Sequence, residues 1–298
     1  MRELDLFKKY DEPVVIALGF FDCLHKGHVS LISKALSLAK KLNTLPVVFT
    51  FKNDIATFLK KEDGVIFTYY ERIENLEKLK INTVISTVFT KEFSEIEHKK
   101  FLDLLFENFN VKAIVCGEDF RYGKGGEGNA TELKEYSVSK GSQILIENEI
   151  CCEGKKISTS NIKRLLSQGD VDKANQLMEF PYQISGEVVC GRKVGRKLGF
   201  PTANVNVNSE KSKIKNGVYK TQVKIDDKVY NSITNYGARP TYGLEEILTE
   251  TFIKGFDGDL YGRKITIIFC EFLRDCIKFE SEAKLKEQIK YDLEKIND

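Results

Sequence analysis

No apolar run in this 298-residue chain approaches the roughly 18 residues that a membrane-spanning helix requires. Charge of one sign is missing too, because 46 basic and 44 acidic side chains are well mixed and leave a formal net charge of +2. Such a balance offers no strong field to a membrane surface or to nucleic acid, and no basic stripe with interleaved aromatics marks a nucleic-acid face. The seven cysteines (Cys23, Cys116, Cys151, Cys152, Cys190, Cys270 and Cys276) contain no CxxC pair and are odd in number. That pattern fits reduced thiols better than a disulfide framework or a zinc site. There is no GxxxxGK[ST] phosphate loop, so any kinase here is not of the P-loop type. Internal repeats and low-complexity segments are lacking as well. The opening Met1-Arg2-Glu3-Leu4-Asp5-Leu6 is too acidic and too poor in apolar residues for a secretory signal, and a cytoplasmic location is expected.

With 42% hydrophobic and 30% charged residues, the chain has the composition of a soluble globular protein long enough for two domains, each with its own core. Up to about residue 180, apolar runs alternate with helical patterns. Val14 to Leu18, Val47 to Phe51, Val84 to Val88, Ala113 to Cys116 and Gln143 to Ile146 read as strands, and Leu31, Ala35, Leu38, Ala39 and Leu42 mark one face of a helix. A further helix is expected from about Ser94 to Phe109, burying Phe101, Leu104 and Leu105, with His98 solvated. The alternation predicts a parallel sheet with helices on its faces. Beyond Phe180-Pro181 the rhythm changes to strands and turns: Tyr182 to Cys190, Val218 to Ile225, Val229 to Tyr236, Leu248 to Phe256 and Lys264 to Leu273. That rhythm predicts a closed or nearly closed antiparallel barrel. Leu285, Ile289, Leu293 and Ile296, at helical spacing, predict a terminal helix. The expected division is 1–180 and 181–298.

Histidine is scarce, and two of the three fall in one turn, Gly19-Phe20-Phe21-Asp22-Cys23-Leu24-His25-Lys26-Gly27-His28, between the first strand and the first helix. Backbone N–H groups and the positive helix end can receive a phosphate at such a position, and two imidazoles can donate to its oxygens as charge moves. A zinc reading of His25 and His28 lacks a thiol or carboxylate at the usual spacing. Lys156 to Lys163, with Ser158, Thr159 and Ser160 between the two lysines, offers a second phosphate clamp at a helix start, or else an ordinary N-cap run. Gly117-Glu118-Asp119-Phe120-Arg121-Tyr122-Gly123 follows another strand, and its aromatics could border a planar ligand. Gly123-Lys124-Gly125-Gly126-Glu127-Gly128 matches GxGxxG by letter but does not directly join a strand to a helix, and is expected to be a mobile basic loop.

In the second half, Gly195-Arg196-Lys197-Leu198-Gly199-Phe200-Pro201-Thr202-Ala203-Asn204 combines glycines, a proline, a hydroxyl and a carboxamide. Pro201 pushes Phe200 towards an extended conformation, and alternate residues of an extended segment share a side. The Thr202 hydroxyl and the Asn204 carbonyl could then converge on one hard cation or phosphate oxygen. The plainer reading is a turn leading into a strand. Asn216-Gly217-Val218-Tyr219 reads as a glycine turn, Asn235 to Thr241 as a rigid polar loop, and Glu250 lies in a strand ahead of Asp259-Leu260-Tyr261-Gly262.

Taken together these motifs resemble the bifunctional bacterial riboflavin kinase/FMN adenylyltransferase (FAD synthetase) family. GFFDCLHKGH, GEDFRYG and ISTSNIK carry the likeness in the first half; GRKLGFPTAN, NGVY, TETFIKGFDGDLYG and Leu273-Arg274-Asp275 carry it in the second. The resemblance implies an α/β Rossmann-like nucleotidyltransferase domain, then a six-stranded antiparallel β-barrel riboflavin kinase domain with a C-terminal helix. It implies conversion of riboflavin to FMN and of FMN to FAD, with ATP as co-substrate, Mg²⁺ as cofactor, and release of pyrophosphate.

Carried over by position, Thr202 and Asn204 would hold Mg²⁺ and ATP phosphates, with Gly195, Gly199 and Pro201 also binding ATP, and Glu250 would be the general base. Arg274, Tyr219 and Asn235 would lie near the flavin. In the first half His25 and His28 would act on the triphosphate, with Gly19, Phe20, Asp22, Gly27, Lys156, Ser158, Thr159, Ser160 and Lys163 lining ATP. Asp119 and Phe120 would face the flavin or adenine. The departures lie in the first half: Cys23 where the family usually has Gly, Lys52-Asn53-Asp54 where Pro-His-Pro is common, Lys156 where Arg is frequent, and Lys163 at the end of the serine-rich motif. They motivate an alternative, a riboflavin kinase with a non-catalytic nucleotide-binding N-terminal module. A flavin-sensing regulator is a third reading, and the oligomeric state is open.

Overall fold

The computed structural model describes residues 1–58, 64–148, 151–152, 155–191, 199–241 and 244–296, which form two compact units, Met1–Thr159 and Ser160–Asp298. In the first unit β1 (Arg2–Asp5), β2 (Tyr10–Leu18), β3 (Leu45–Phe51), β4 (Thr83–Thr87) and β5 (Phe109–Gly117) precede a hairpin of β6 (Arg121–Tyr122) and β7 (Gly128–Asn129). After it come β8 (Gln143–Glu147) and the antiparallel pair β9 (Cys151–Cys152) and β10 (Lys155–Lys156). The main sheet runs β1-β4-β3-β2-β5-β8, every pairing parallel. Val14–Leu18 and Ala113–Cys116 are fully buried because helices cover both faces, which is why these strands read as continuous apolar runs. The chain moves from β2 towards β3 on one side and reaches β5 on the other. The carboxyl ends of β2 and β5 therefore flank the switch point at which open α/β sheets bind ligands.

Several local expectations change. The N-terminal strand β1 pairs with β4, although its residues show no strand pattern of their own. The helix expected from Ser94 to Phe109 is two helices, Lys91–Ser94 and His98–Asn108, and it is Leu102, not Leu104, that is buried with Phe101 and Leu105. Phe109 already belongs to β5. The glycine-rich segment 123–128 is a built connection: β6 and β7 pair antiparallel, and a single turn over Lys124–Gly126 joins them.

In the second unit the helix Val171–Leu177 is fastened to the barrel through Asn175, whose Nδ2 donates to Phe269 O at 2.8 Å while its Oδ1 accepts from Tyr182 N at 2.8 Å. The barrel strands are β11 (Gln183–Val189), β12 (Thr202–Asn206), β13 (Gly217–Ile225), β14 (Lys228–Thr241), β15 (Leu244–Ile253) and β16 (Lys264–Arg274). They close in the order β11-β12-β15-β14-β13-β16. The segment Asn235–Thr241, expected as a loop, continues β14 in register with β15. Tyr182, Tyr219 and Tyr236 pack their rings on Phe269 inside. Buried hydroxyls satisfy one another there: Thr221 Oγ1 lies 2.7 Å from Ser232 Oγ and 2.8 Å from Thr234 Oγ1, which lies 2.9 Å from Thr251 Oγ1. The terminal helix, Glu282–Glu294, is held by a forked ion pair from Arg274 to the buried carboxylate of Asp292, and Ile296 packs on Val218 and Ile233.

Candidate active sites

The turn after β2 is built by burial. Phe21 and Leu24 take left-handed backbone angles, φ +56° and +45°, which cost a non-glycine residue about 1–2 kcal/mol each. Both side chains are 0% exposed, and burying each returns roughly 1.5–3 kcal/mol. Asp22 anchors the same turn, its Oδ1 accepting from Ile66 N at 2.9 Å and Phe67 N at 3.2 Å. Arg72, 1% exposed, donates to Phe20 O and Thr50 Oγ1 and from its other nitrogen to Phe51 O, while its guanidinium lies 4.4 Å from the Phe20 ring centre. Nothing in the sequence around Arg72 signals this role.

His25 caps the helix Lys26–Leu42, and its Nδ1 accepts from His28 N at 3.2 Å, which leaves the ring proton on Nε2. The two imidazoles stack with centroids 3.7 Å apart, and Phe21 meets His28 edge-on at 5.1 Å. Burial lowers His25 to about 4, and burial first, then His25 and Arg72, hold His28 well below the usual imidazole range. Both rings are neutral at pH 7, each with one N–H to donate. Burial pushes the Cys23 thiol up to about 12, so it is no nucleophile; its Sγ lies 3.4 Å from Thr159 Oγ1.

These groups open on a cavity of about 840 Å³ at the carboxyl ends of the strands. Gly19, Phe20, His25, Gly27 and His28 line one side, and Lys156 at the end of β10 approaches with Ser158 and Thr159 from the segment after it. Phe51, Phe89 and Phe93 form an aromatic wall, with ring centroids 5.2 Å apart for Phe51 and Phe93 and 5.3 Å for Phe51 and Phe89, and Phe120 stacks on Tyr122 at 5.7 Å. Asp119 lines the cavity too and pairs with Lys156 Nζ at 2.8 Å. Asp22 does not line it. Ser160 and Lys163 lie on the helix Thr159–Gln168, most of which counts with the second unit. The wall of Phe89 and Phe93 was not expected from sequence, since two apolar residues after a strand read as ordinary core.

The barrel gathers a second set. Asn204 on β12 stands opposite Glu250 on β15, and Glu250 stands opposite Asn235 on β14. Directly opposed residues of antiparallel strands share a face, so these three form one row. Thr202 lies two residues from Asn204, on the same face, while Thr249 and Thr251 point into the barrel and are 0% exposed. The Asn204 Oδ1 is buried with no hydrogen-bond partner. Gly191 packs against that amide so closely that a β-carbon there would fall far inside van der Waals contact with it. Gly191 was not among the residues singled out from sequence. Gly199 takes φ +85° and Pro201 is exposed, while Gly195 lies outside the described residues. Asn235 is exposed and accepts from Cys276 Sγ at 3.4 Å. Tyr219 is 0% exposed, donates its hydroxyl to Lys215 O and packs on Phe269 and Phe272, so it serves the core. Arg274 commits its guanidinium to Asp292.

Comparison with known proteins assigns a family model to each half of the chain. The FAD synthetase family model matches residues 7–161 and the riboflavin kinase family model matches residues 178–298. The bifunctional riboflavin kinase/FMN adenylyltransferase of Bacillus subtilis is 33% identical over 293 residues, 96% of this chain and 92% of that one. The protein of the same description from Buchnera aphidicola subsp. Schizaphis graminum is 32% identical over 306 residues, 99% of this chain and 96% of its own. A solved structure from Streptococcus pneumoniae, described as a macrolide-efflux protein, superposes with a TM-score of 0.90 at 27% identity and covers 100% of this chain and 99% of that one. Matched along nearly its whole length by such relatives, with both family models in the order that the two folds require, the protein belongs to the bifunctional riboflavin kinase/FMN adenylyltransferase family.

Proposed function

We propose that the protein makes FAD in two ATP-dependent steps, riboflavin to FMN in residues 181–298 and FMN to FAD, with release of pyrophosphate, in residues 1–180. The observation that carries this reading is the row Asn204–Glu250–Asn235 across three adjacent strands. A hydroxyl becomes a phosphoryl acceptor only when a base takes its proton and the charge on the phosphates is neutralised. Glu250 is the base towards the riboflavin 5′-hydroxyl. Thr202 and the Asn204 Oδ1, a buried oxygen without a partner, suit Mg²⁺, which prefers hard oxygen ligands. When bound, Mg²⁺ neutralises the nucleotide phosphates. Asn235 faces the flavin side of the row, and Gly199 and Pro201 shape the approach to it.

In the first module His25 and His28 donate to the triphosphate as charge leaves the α-phosphorus, and Lys156, Ser158 and Thr159 hold its oxygens, with Ser160 and Lys163 continuing along the same helix. The aromatic wall, with Phe120 and Asp119, takes the planar rings. A non-catalytic first module is the poorer reading, because the FAD synthetase match spans it and both histidines face the cavity. Both steps belong in a reducing compartment such as the cytoplasm, where the exposed thiols Cys190 and Cys276 stay free.

Supplying riboflavin or FMN separately with ATP and Mg²⁺, and resolving the flavins by chromatography, tests both halves. Riboflavin should give FMN and then FAD, and FMN should give FAD; neither product would end the reading. Gly191→Ala probes the cradle of Asn204. The new methyl displaces the amide, and a shift of about 1 Å costs on the order of 10²-fold in rate. FMN formation should fall by that amount with the thermal midpoint nearly unchanged, and undiminished FMN formation would remove Asn204 from the site.

A further inference from the structure

Sequence spacing offers His25 and His28 no thiol in the usual zinc pattern, yet the fold supplies one. One ligand atom from each of Cys23, His25 and His28 lies within 4.8 Å of the other two. The left-handed turns at Phe21 and Leu24 point Cys23 inward, and the first turn of the helix Lys26–Leu42 stacks the two rings beside it. A second observation is independent of this clustering. The His28 Nδ1 is shut off from water and has no hydrogen-bond partner, so one ring nitrogen has no role inside the fold and can serve a soft cation.

We propose that Cys23, His25 and His28 form a binding site for a soft divalent cation of the Zn²⁺ class, and that its occupancy blocks adenylyl transfer. One thiolate and two imidazoles suit Zn²⁺, whereas Mg²⁺ takes oxygen ligands, so the site discriminates against the cation of the reaction. Three protein ligands leave a fourth position open towards the cavity, for water or a phosphate oxygen. As the S–Zn bond forms, the Cys23 proton leaves to solvent. The ion also takes the His25 Nε2, which would otherwise meet the triphosphate; this half of the proposal rests on the function given above. Ligation carries a cost. A neutral His25 ring cannot bind metal through Nε2 and still accept from His28 N through Nδ1, so the helix cap is lost and the nearly parallel rings must tilt apart. The site is therefore reversible and weaker than a structural zinc centre.

Co²⁺ is the spectroscopic probe, because a thiolate ligand gives it a near-ultraviolet charge-transfer band. The full chain should show that band, lose it on addition of Zn²⁺, and lack it as Cys23→Ser, with Cys23→Gly guarding against a defect particular to serine. In Mg²⁺ and ATP, micromolar Zn²⁺ should cut FAD formation from FMN at least tenfold in the unmodified protein. Cys23→Ser should keep the basal rate and need at least tenfold more Zn²⁺. An equal band and equal zinc sensitivity in both Cys23 variants would overturn the site, placing the metal on other thiols such as the exposed Cys190 and Cys276. An equal fall in riboflavin phosphorylation would overturn the block, since zinc would then be acting on ATP. A band that depends on Cys23 with FAD formation insensitive to zinc would leave the metal site standing, overturn the block and remove the His25 Nε2 from the triphosphate.

Discussion

Glu250→Gln should lower riboflavin phosphorylation by about 10²–10⁴-fold, the usual worth of a general base, while FAD formation from supplied FMN continues at its original rate. The amide is isosteric with the carboxylate, so the cross-strand row with Asn204 and Asn235 keeps its shape and only the proton acceptor is lost. The neighbouring hydroxyls cannot replace it. Thr249 and Thr251 point into the barrel, where Thr249 donates to Val205 O at 3.0 Å and Thr251 meets Thr234. Steady-state assays with each flavin supplied alone, beside a thermal unfolding curve, make the measurement. A variant that phosphorylates riboflavin normally would assign the proton to another group. Loss of both activities with a lowered midpoint would mean that the substitution had damaged the fold instead.

His28→Ala should produce the reverse pattern, with FAD formation from FMN reduced by about 10²–10³-fold, the cost of removing one preorganised donor to developing charge. Riboflavin should still be converted to FMN, which accumulates. The size of the effect follows from where the ring sits. It is wedged between His25 and Phe21, neutral at pH 7 because burial lowers its pKa, and held beside the phosphate-binding end of the helix by the cap that His25 makes to its own N–H. Alanine also removes that packing, so His28→Asn, which retains N–H donors, should recover part of the rate. If asparagine were no better than alanine at equal stability, packing and not hydrogen bonding to phosphate would be the role of His28.

The two sites differed in how much of them could be seen before folding. The turn of His25 and His28 was legible because a strand, glycines and two scarce imidazoles fall within ten consecutive residues, and the switch point of the sheet then placed them at a cavity. Its aromatic wall was not, because Phe51 ends one strand while Phe89 and Phe93 follow another, and each looks individually like core. The hairpin over residues 121–129 was hidden for a similar reason: its strands are two residues each, too short for any alternation to register. In the barrel Thr202 and Asn204 announced themselves by their spacing, but Glu250 alone was only a carboxylate on a strand. Gly191 is separated from Asn204 by residues that carry no sign of their contact. Tyr219 and Arg274, which the resemblance places near the flavin, also hold the fold together, one as a core ring and the other as a helix clamp.

The sequence by itself determined the alternation of buried strands and amphipathic helices, the change to barrel strands after residue 180, and the chemical types available in each motif. Those properties are local, set by backbone restriction and by the period of apolar residues along the chain. Tertiary structure alone decided which groups meet. The register of β12, β15 and β14 sets Asn204, Glu250 and Asn235 in one row, and burial of Phe21 and Leu24 turns Cys23 towards the stacked imidazoles. Register and burial depend on partners distant in sequence, so no reading of neighbouring residues contains them.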